Sequence, residues 1–204
     1  MIYNERAPSA SRNRVNTLRV ELVKRFCSFF GKNMKARFFF KFPDFKGIGL
    51  HYAHELAKKG MNLVLVARKA DLLNEIAEDI KSKYAVKVDV IIADFGKGIS
   101  IFKKIEESLA DKDIGILVNN VGVAYDRLKY FHEDSEENMW NMINVNICSM
   151  TMMTKMILPG MLAKKKGAII NISSVAAIGK VIHPKYYKNY AYALAHKISF
   201  MCFT

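Results

Sequence analysis

Two kinds of apolar pattern take turns along this chain. Short runs with little polar alternation occur at Ala36–Phe42 (ARFFFKF), Asn62–Ala67 (NLVLVA), Val88–Ala93, Ile114–Val118 and Ala168–Ser174 (AIINISS), and they predict strands. Runs of this kind suit parallel strands covered on both faces. Between them the apolar residues recur at helical spacing. Leu50–Lys59 is such a stretch, stopped by Gly60. Asp71–Tyr84 carries Leu72, Leu73, Ile76, Ile80 and Tyr84 on one face, and Ile99–Ala110 turns Phe102, Ile105 and Leu109 inward. Ser135, with Asn138 three residues on and Glu136 and Glu137 between, starts a long helix expected to reach Leu158, just before Pro159. Its many methionines read as adaptable core filler, and Lys164–Lys166 after it as a solvated charge run. A final helix is expected over Tyr190–Phe203. Strand and helix alternate with no internal repeat, which predicts an α/β fold: a Rossmann-like, doubly wound parallel sheet with helices on both faces.

Composition adjusts this picture at the N-terminus. The 204 residues suit one domain, and the net charge is +13. Residues 1–46 hold 11 Lys/Arg against 3 Asp/Glu, a net +8, while residues 47–204 hold 21 against 16, a net +5. Residues 1–35 are therefore read as a basic tail and 36–204 as the domain. Within the tail, Val15, Leu18, Leu22, Phe26 and Phe29 recur at helical spacing among Arg19, Lys24 and Arg25. An amphipathic helix on a membrane surface and a mitochondrial-type targeting segment both fit this pattern, as does an ordinary surface helix. No apolar run reaches the ~18–20 residues of a membrane-spanning helix, and the start lacks a secretory h-region. Cys27, Cys148 and Cys202 are odd in number and widely spaced, so neither a disulfide framework nor a metal site is drawn from them and a reducing compartment is expected. The charge sits mainly in the tail and no aromatic-basic platform is visible, so nucleic acid is not an expected partner.

Candidate chemistry gathers at the ends of the expected strands. Asp113–Gly122 (DIGILVNNVG) closes its apolar run with Asn119, Asn120 and Gly122, which offer amide donors and acceptors and a place for close backbone approach. After the first strand only Gly47 and Gly49 remain of a phosphate-cradling loop, with Pro43 where its first glycine should fall. Arg68 and Lys69 follow the second strand where an acid would bind a ribose 2′-hydroxyl; a cation there suits a 2′-phosphate and favours NADP, although two solvated cations fit equally. Ser174, Tyr192 and Lys197 could form a proton-transfer group, the lysine charge lowering the phenol pKa from its usual value of ~10. Tyr192 and Lys197 are five residues apart, roughly 500° of helix and so well off one face; His196 takes the facing position without a fixed charge near neutral pH.

The segments NNVG (Asn119–Gly122), NVN (Asn144–Asn146), NISS (Asn171–Ser174) and the Tyr192 helix, in this order, resemble the short-chain dehydrogenase/reductases. The wording of GIGLHYAHELAKKGMNLVLVAR, DIGILVNNVGV, MINVNI and LPGMLAKKKGAIINISS is similar to one branch. That branch holds the 17β-hydroxysteroid dehydrogenases, the very-long-chain 3-oxoacyl-CoA reductases and the inactive hydroxysteroid-dehydrogenase-like proteins. The similarity covers about Gly47–Phe203. It implies that Gly47 and Gly49 belong to the TGxxxGxG loop, that Arg68 contacts the 2′-phosphate, that Asp94 binds the adenine, and that Asn120 and Gly122 support the cofactor. It also implies Asn146, Ser174, Tyr192 and a lysine, here Lys197, as the catalytic tetrad, with NADP as hydride donor.

Four departures accompany the resemblance. Phe42 and Pro43 replace the Thr-Gly that opens the cofactor loop, the Ser174–Tyr192 interval of 18 is longer than the family's, and His196 stands at the lysine position. The chain also ends at Thr204, ahead of the last strands and substrate-covering helices, and so looks like a truncated or degenerate member. Ala36–Phe42 is expected to take the place of the first strand, between the second and fourth. The expected function is an NADP(H)-dependent 3-oxoacyl-CoA or 17-oxosteroid reductase-like protein with little or no turnover; the alternative is a non-catalytic homologue that binds a nucleotide or a protein. An acyl-CoA or steroid substrate, a membrane surface and a second copy in a homodimer are the expected partners. The endoplasmic reticulum membrane surface or the mitochondrion is the expected location.

Overall fold

The computed structural model describes residues 37–41, 48–123, 131–172 and 201–203. Six strands form one sheet in the order β3-β2-β1-β4-β5-β6. β1 (Arg37–Lys41), β2 (Leu63–Ala67), β3 (Val88–Ile92), β4 (Ile114–Asn119) and β5 (Gly167–Asn171) are mutually parallel, whereas β6 (Met201–Phe203) runs antiparallel to β5. The backbone of β1 pairs with β2 from Phe38↔Leu63 to Lys41↔Val66 and with β4 from Arg37↔Ile114 to Phe40↔Val118. Arg37–Lys41, the described part of that stretch, thus fills the position expected of it. Sequence order reverses on either side of β1, and the crevice between β1 and β4 is the topological switch point.

Each face of the sheet has its own core, which is why the strand sequences do not alternate with polar residues. On β2, Leu63, Leu65 and Ala67 enter one cluster while Val64 and Val66 enter the other. The first cluster is closed by α1 (Ile48–Lys58), through Tyr52, Ala53, Leu56 and Ala57, and by α2 (Ala70–Tyr84), through Leu73, Ile76, Ala77 and Ile80. The second is closed by Phe102, Ile105 and Leu109 of α3 (Phe102–Leu109) and by Met153, Ile157 and Met161 of a long helix after β4. The helical stretch expected from Ile99 begins earlier, in a 3₁₀ segment over Phe95–Ile101 that leads into α3.

The long helix has three parts: α4 (Glu136–Ile143), a π-helical segment (Asn144–Cys148) and α5 (Ser149–Ala163). Ser135 caps it as expected, its hydroxyl accepting from the Asn138 amide at 3.3 Å. Two expectations are corrected. The helix does not stop before Pro159 but carries it inside α5. Pro159 and Lys155 both lie on the exposed side of the helix, where solvent is at hand for the carbonyl that loses its helical donor. The final helix over Tyr190–Phe203 does not hold at its end, because Met201–Phe203 is a strand against Gly167–Ile169. A short apolar run is ambiguous between helix and strand, and pairing with the sheet edge decides it. The amphipathic reading of Val15–Phe30 lies outside the described residues. Among the described residues no helix is long and apolar enough to cross a membrane.

Candidate functional site

The candidate residues that the structure describes line one edge of the sheet, where the parallel strands end. Gly49 is buried in the first turn of α1, a turn with no acidic residue. An anion at that helix end would meet the positive end of the helix dipole without a competing carboxylate. Arg68 is exposed and directly follows Ala67, the last residue of β2. Ala67 is in register with Ile92, and the Ala93 amide donates to the Ala67 carbonyl at 2.9 Å. Arg68 and Asp94 therefore emerge from adjacent strand ends. Asp94 is half-buried and spends one carboxylate oxygen, Oδ1, on the Gly96 amide at 3.0 Å.

The end of β4 is held by asparagines. Asn119 is buried and in register with Asn171 of β5. Its Nδ2 donates to Asn171 Oδ1 at 2.9 Å and to Thr154 Oγ1 at 3.4 Å, while its Oδ1 is buried with no hydrogen-bond partner. This amide ties the sheet to α5 just below the switch point. Asn120 and Gly122 follow, both half-buried. Asn146 is buried within the π segment and uses both ends of its amide on one residue. Val123 N donates to its Oδ1 at 2.8 Å, and its Nδ2 donates to the Val123 carbonyl at 2.9 Å. A Cβ added to Gly122 would lie 3.5 Å from Asn146 Oδ1, ordinary contact.

The π segment is stabilised locally. The Ser149 amide donates to the Asn144 carbonyl, five residues back, and the buried Ser149 hydroxyl donates to the Val145 carbonyl. The wider turn places Asn146 toward the loop after β4.

Gly49, Arg68, Asp94, Asn120, Gly122 and Asn146 are thus brought to one sheet edge. Gly47, Ser174, Tyr192 and Lys197, together with Phe42, Pro43 and His196, lie outside the described residues. Two contributions go beyond the sequence reading: Asn119, a candidate ligand-facing amide there, braces β4, and Asn144, which carried no assigned role, bonds the Gly96 carbonyl at 3.3 Å. The signal was present for both, as paired amides in NNVG and NVN. Among the described residues no group of three or more His, Cys, Asp or Glu is arranged to hold a metal ion.

The family model for short chain dehydrogenase matches residues 44–193, and the chain belongs to that family. Among curated relatives, it is 50% identical over 128 residues to the inactive hydroxysteroid dehydrogenase-like protein 1 of Homo sapiens, covering 63% of this chain and 39% of that protein. It is 47% identical over 130 residues to the very-long-chain 3-oxoacyl-CoA reductase of Homo sapiens, covering 63% of this chain and 41% of that one. The chain thus spans less than half the length of either relative. Among solved structures, the short-chain dehydrogenase from Sphingobium yanoikuyae in complex with NADPH superposes with a TM-score of 0.69 at 26% identity, over 79% of this chain and 60% of that one.

Proposed function

We propose that this chain binds a nicotinamide dinucleotide across the β1–β4 crevice, prefers NADPH to NADH, and turns over little or no substrate. The observation that carries the reading is the row of Gly49, Arg68, Asp94, Asn120, Gly122 and Asn146 along one sheet edge at the switch point. The residues fit the group. Gly49 on α1 would meet the pyrophosphate, Arg68 the 2′-phosphate and Asp94 the adenine, while Asn120 and Gly122 would flank the cofactor beside β4. When bound, the cofactor would supply a hydride. The phenol of Tyr192 would donate the accompanying proton to a carbonyl oriented by Ser174.

The sequence supports low turnover. Lys197 is five residues from Tyr192, and His196 at the facing position has no fixed charge to stabilise the phenolate. Pro43 offers no backbone donor to the phosphates and Phe42 no hydroxyl, so binding should be weak. A relative named as inactive agrees with this. If the chain does react, a 3-oxoacyl-CoA is the substrate class, by likeness to the reductase relative; an oxosteroid is the second choice. The basic stretch Val15–Phe30 supports attachment to an anionic membrane surface of the endoplasmic reticulum or mitochondrion, and the family likeness supports homodimers.

The deciding experiment is titration of the purified chain with NADPH and NADH by cofactor fluorescence, followed by turnover on a 3-oxoacyl-CoA. The expected result is weak binding that favours NADPH, with no measurable turnover. Absence of binding to either cofactor rejects the cofactor reading. Turnover abolished by Tyr192→Phe rejects the low-activity reading.

A further inference from the structure

We infer that Asn144 is a positioning residue, and that with Asn146 it makes the π segment a two-armed brace between the loop after β3 and the loop after β4. The two side chains are two residues apart, roughly 200° around a helix, and so reach to different sides. Asn146 grips Val123 through both amide atoms. Asn144 Nδ2 donates to the Gly96 carbonyl at 3.3 Å. The loop it grips is built to receive it. Gly98 has φ +67°, and a Cβ there would lie 3.3 Å from Asn144 Nδ2 and 3.5 Å from its Cγ and Oδ1, so the amide lies close over this backbone. At Gly96 a Cβ would come within 2.6 Å of Asn141 Oδ1, from the turn before. Gly98 is the stricter of the two, because its positive φ and the overlying Asn144 amide both disfavour a side chain, whereas at Gly96 the nearest atom is the tip of the Asn141 side chain.

The same loop carries Asp94, whose carboxylate caps it through the Gly96 amide. Asn144 and Asp94 thus hold Gly96 from its two backbone groups. Resting on the reading above, in which Asp94 meets the adenine and Gly122, next to Val123, flanks the cofactor beside β4, the brace fixes the separation of these two parts of the cofactor site. Both arms thus come from three consecutive residues at the start of the π segment.

The test uses hydrogen exchange on the full chain without ligand, then titration. Asn144→Ala is expected to speed exchange of the 94–98 amides by about tenfold, and Asn146→Ala to do so for 121–123. Asn144→Asp keeps the shape but has no donor for the Gly96 carbonyl, and should match Asn144→Ala; it serves if the alanine variant fails to fold. Asn144→Ala should also lower affinity for adenosine 2′,5′-bisphosphate about fivefold and leave that for nicotinamide mononucleotide unchanged, a split that general destabilisation would not give. Unchanged 94–98 exchange in both Asn144 variants overturns the brace. Loosened exchange with unchanged bisphosphate affinity overturns the positioning role. If the parent chain binds neither fragment while exchange responds as expected, the brace stands and the cofactor reading fails.

Discussion

At the scale of single residues, two glycines with opposite surroundings make a clean comparison. Gly167 opens β5 where a Cβ would meet Met161 Cβ, Cγ and Sδ at 2.5–2.6 Å. The methionine stem itself is in the way, so a flexible tip cannot simply swing aside. Gly167→Ala should cost about 1–3 kcal/mol in urea unfolding. Gly160, in α5, has nothing within 4 Å of a Cβ, and Gly160→Ala should stabilise by about 0.5–1 kcal/mol through helix propensity. Equal effects of the two would show that Met161 does not pack on β5 as described. Residues of this kind were only partly legible. Asn146 stood out because a family motif surrounds it, and Ser135 because capping is local in sequence. The partners of Asn119 and Asn144 lie 52 and 48 residues away, and no periodicity reports a contact that depends on which loops the fold brings together.

At the scale of elements, the core-facing pattern was readable because β2, β3, β4 and β5 each serve two clusters, whereas α1, α2, α3 and α5 each serve one. The errors fell where pattern meets context. Pro159 signals a helix end in isolation, yet its position on the exposed side of α5 lets water take the carbonyl it abandons. Met201–Phe203 looked like the tail of a helix, but β5 offers backbone groups along its edge that an extended segment can pair. The contact between α1 and α2 makes a prediction of its own. His54 on α1 packs edge-on to Tyr84 on α2 at 5.7 Å and lies 3.9 Å from Asp79. Burial pushes its pKa below the usual 6.5, with Lys83 and His51 acting the same way and Asp79 and Glu55 opposing. The native state therefore takes up the proton at lower pH than the unfolded chain does. Stability linked to His54 is present above 6.5 and is lost as pH falls through the depressed native value. Urea midpoints should fall from pH 7.5 toward 5, and His54→Gln should flatten that decline. A decline of the same slope in the variant would remove His54 from the account.

At the scale of the whole molecule, a parallel sheet with helices on both faces leaves one place where loops from adjacent strands diverge, and every described candidate lies there. The fold class was legible from alternation alone, and the family from the order of four motifs. The antiparallel β6 was not, because its pairing is set by the far edge of the sheet. Under the proposed reading, the strand ends also set how the chain should discriminate between cofactors. Arg68 leaves β2 beside the end of β3, two strand positions from the switch point, and is exposed. A 2′-phosphate there would gain a charge-assisted hydrogen bond that the 2′-hydroxyl of NADH cannot match. Exposure limits the gain, since solvent and salt both screen it. Arg68→Ala should lower NADPH affinity about tenfold and leave NADH affinity unchanged, so the preference for NADPH nearly disappears. Lys69, also exposed, can supply part of the charge, and the double variant Arg68→Ala/Lys69→Ala should remove what remains. Raising salt should erode the preference in the parent chain and have little effect in the double variant. A parent chain that binds both cofactors equally, or a preference that survives the double variant at low salt, would place the 2′-phosphate elsewhere.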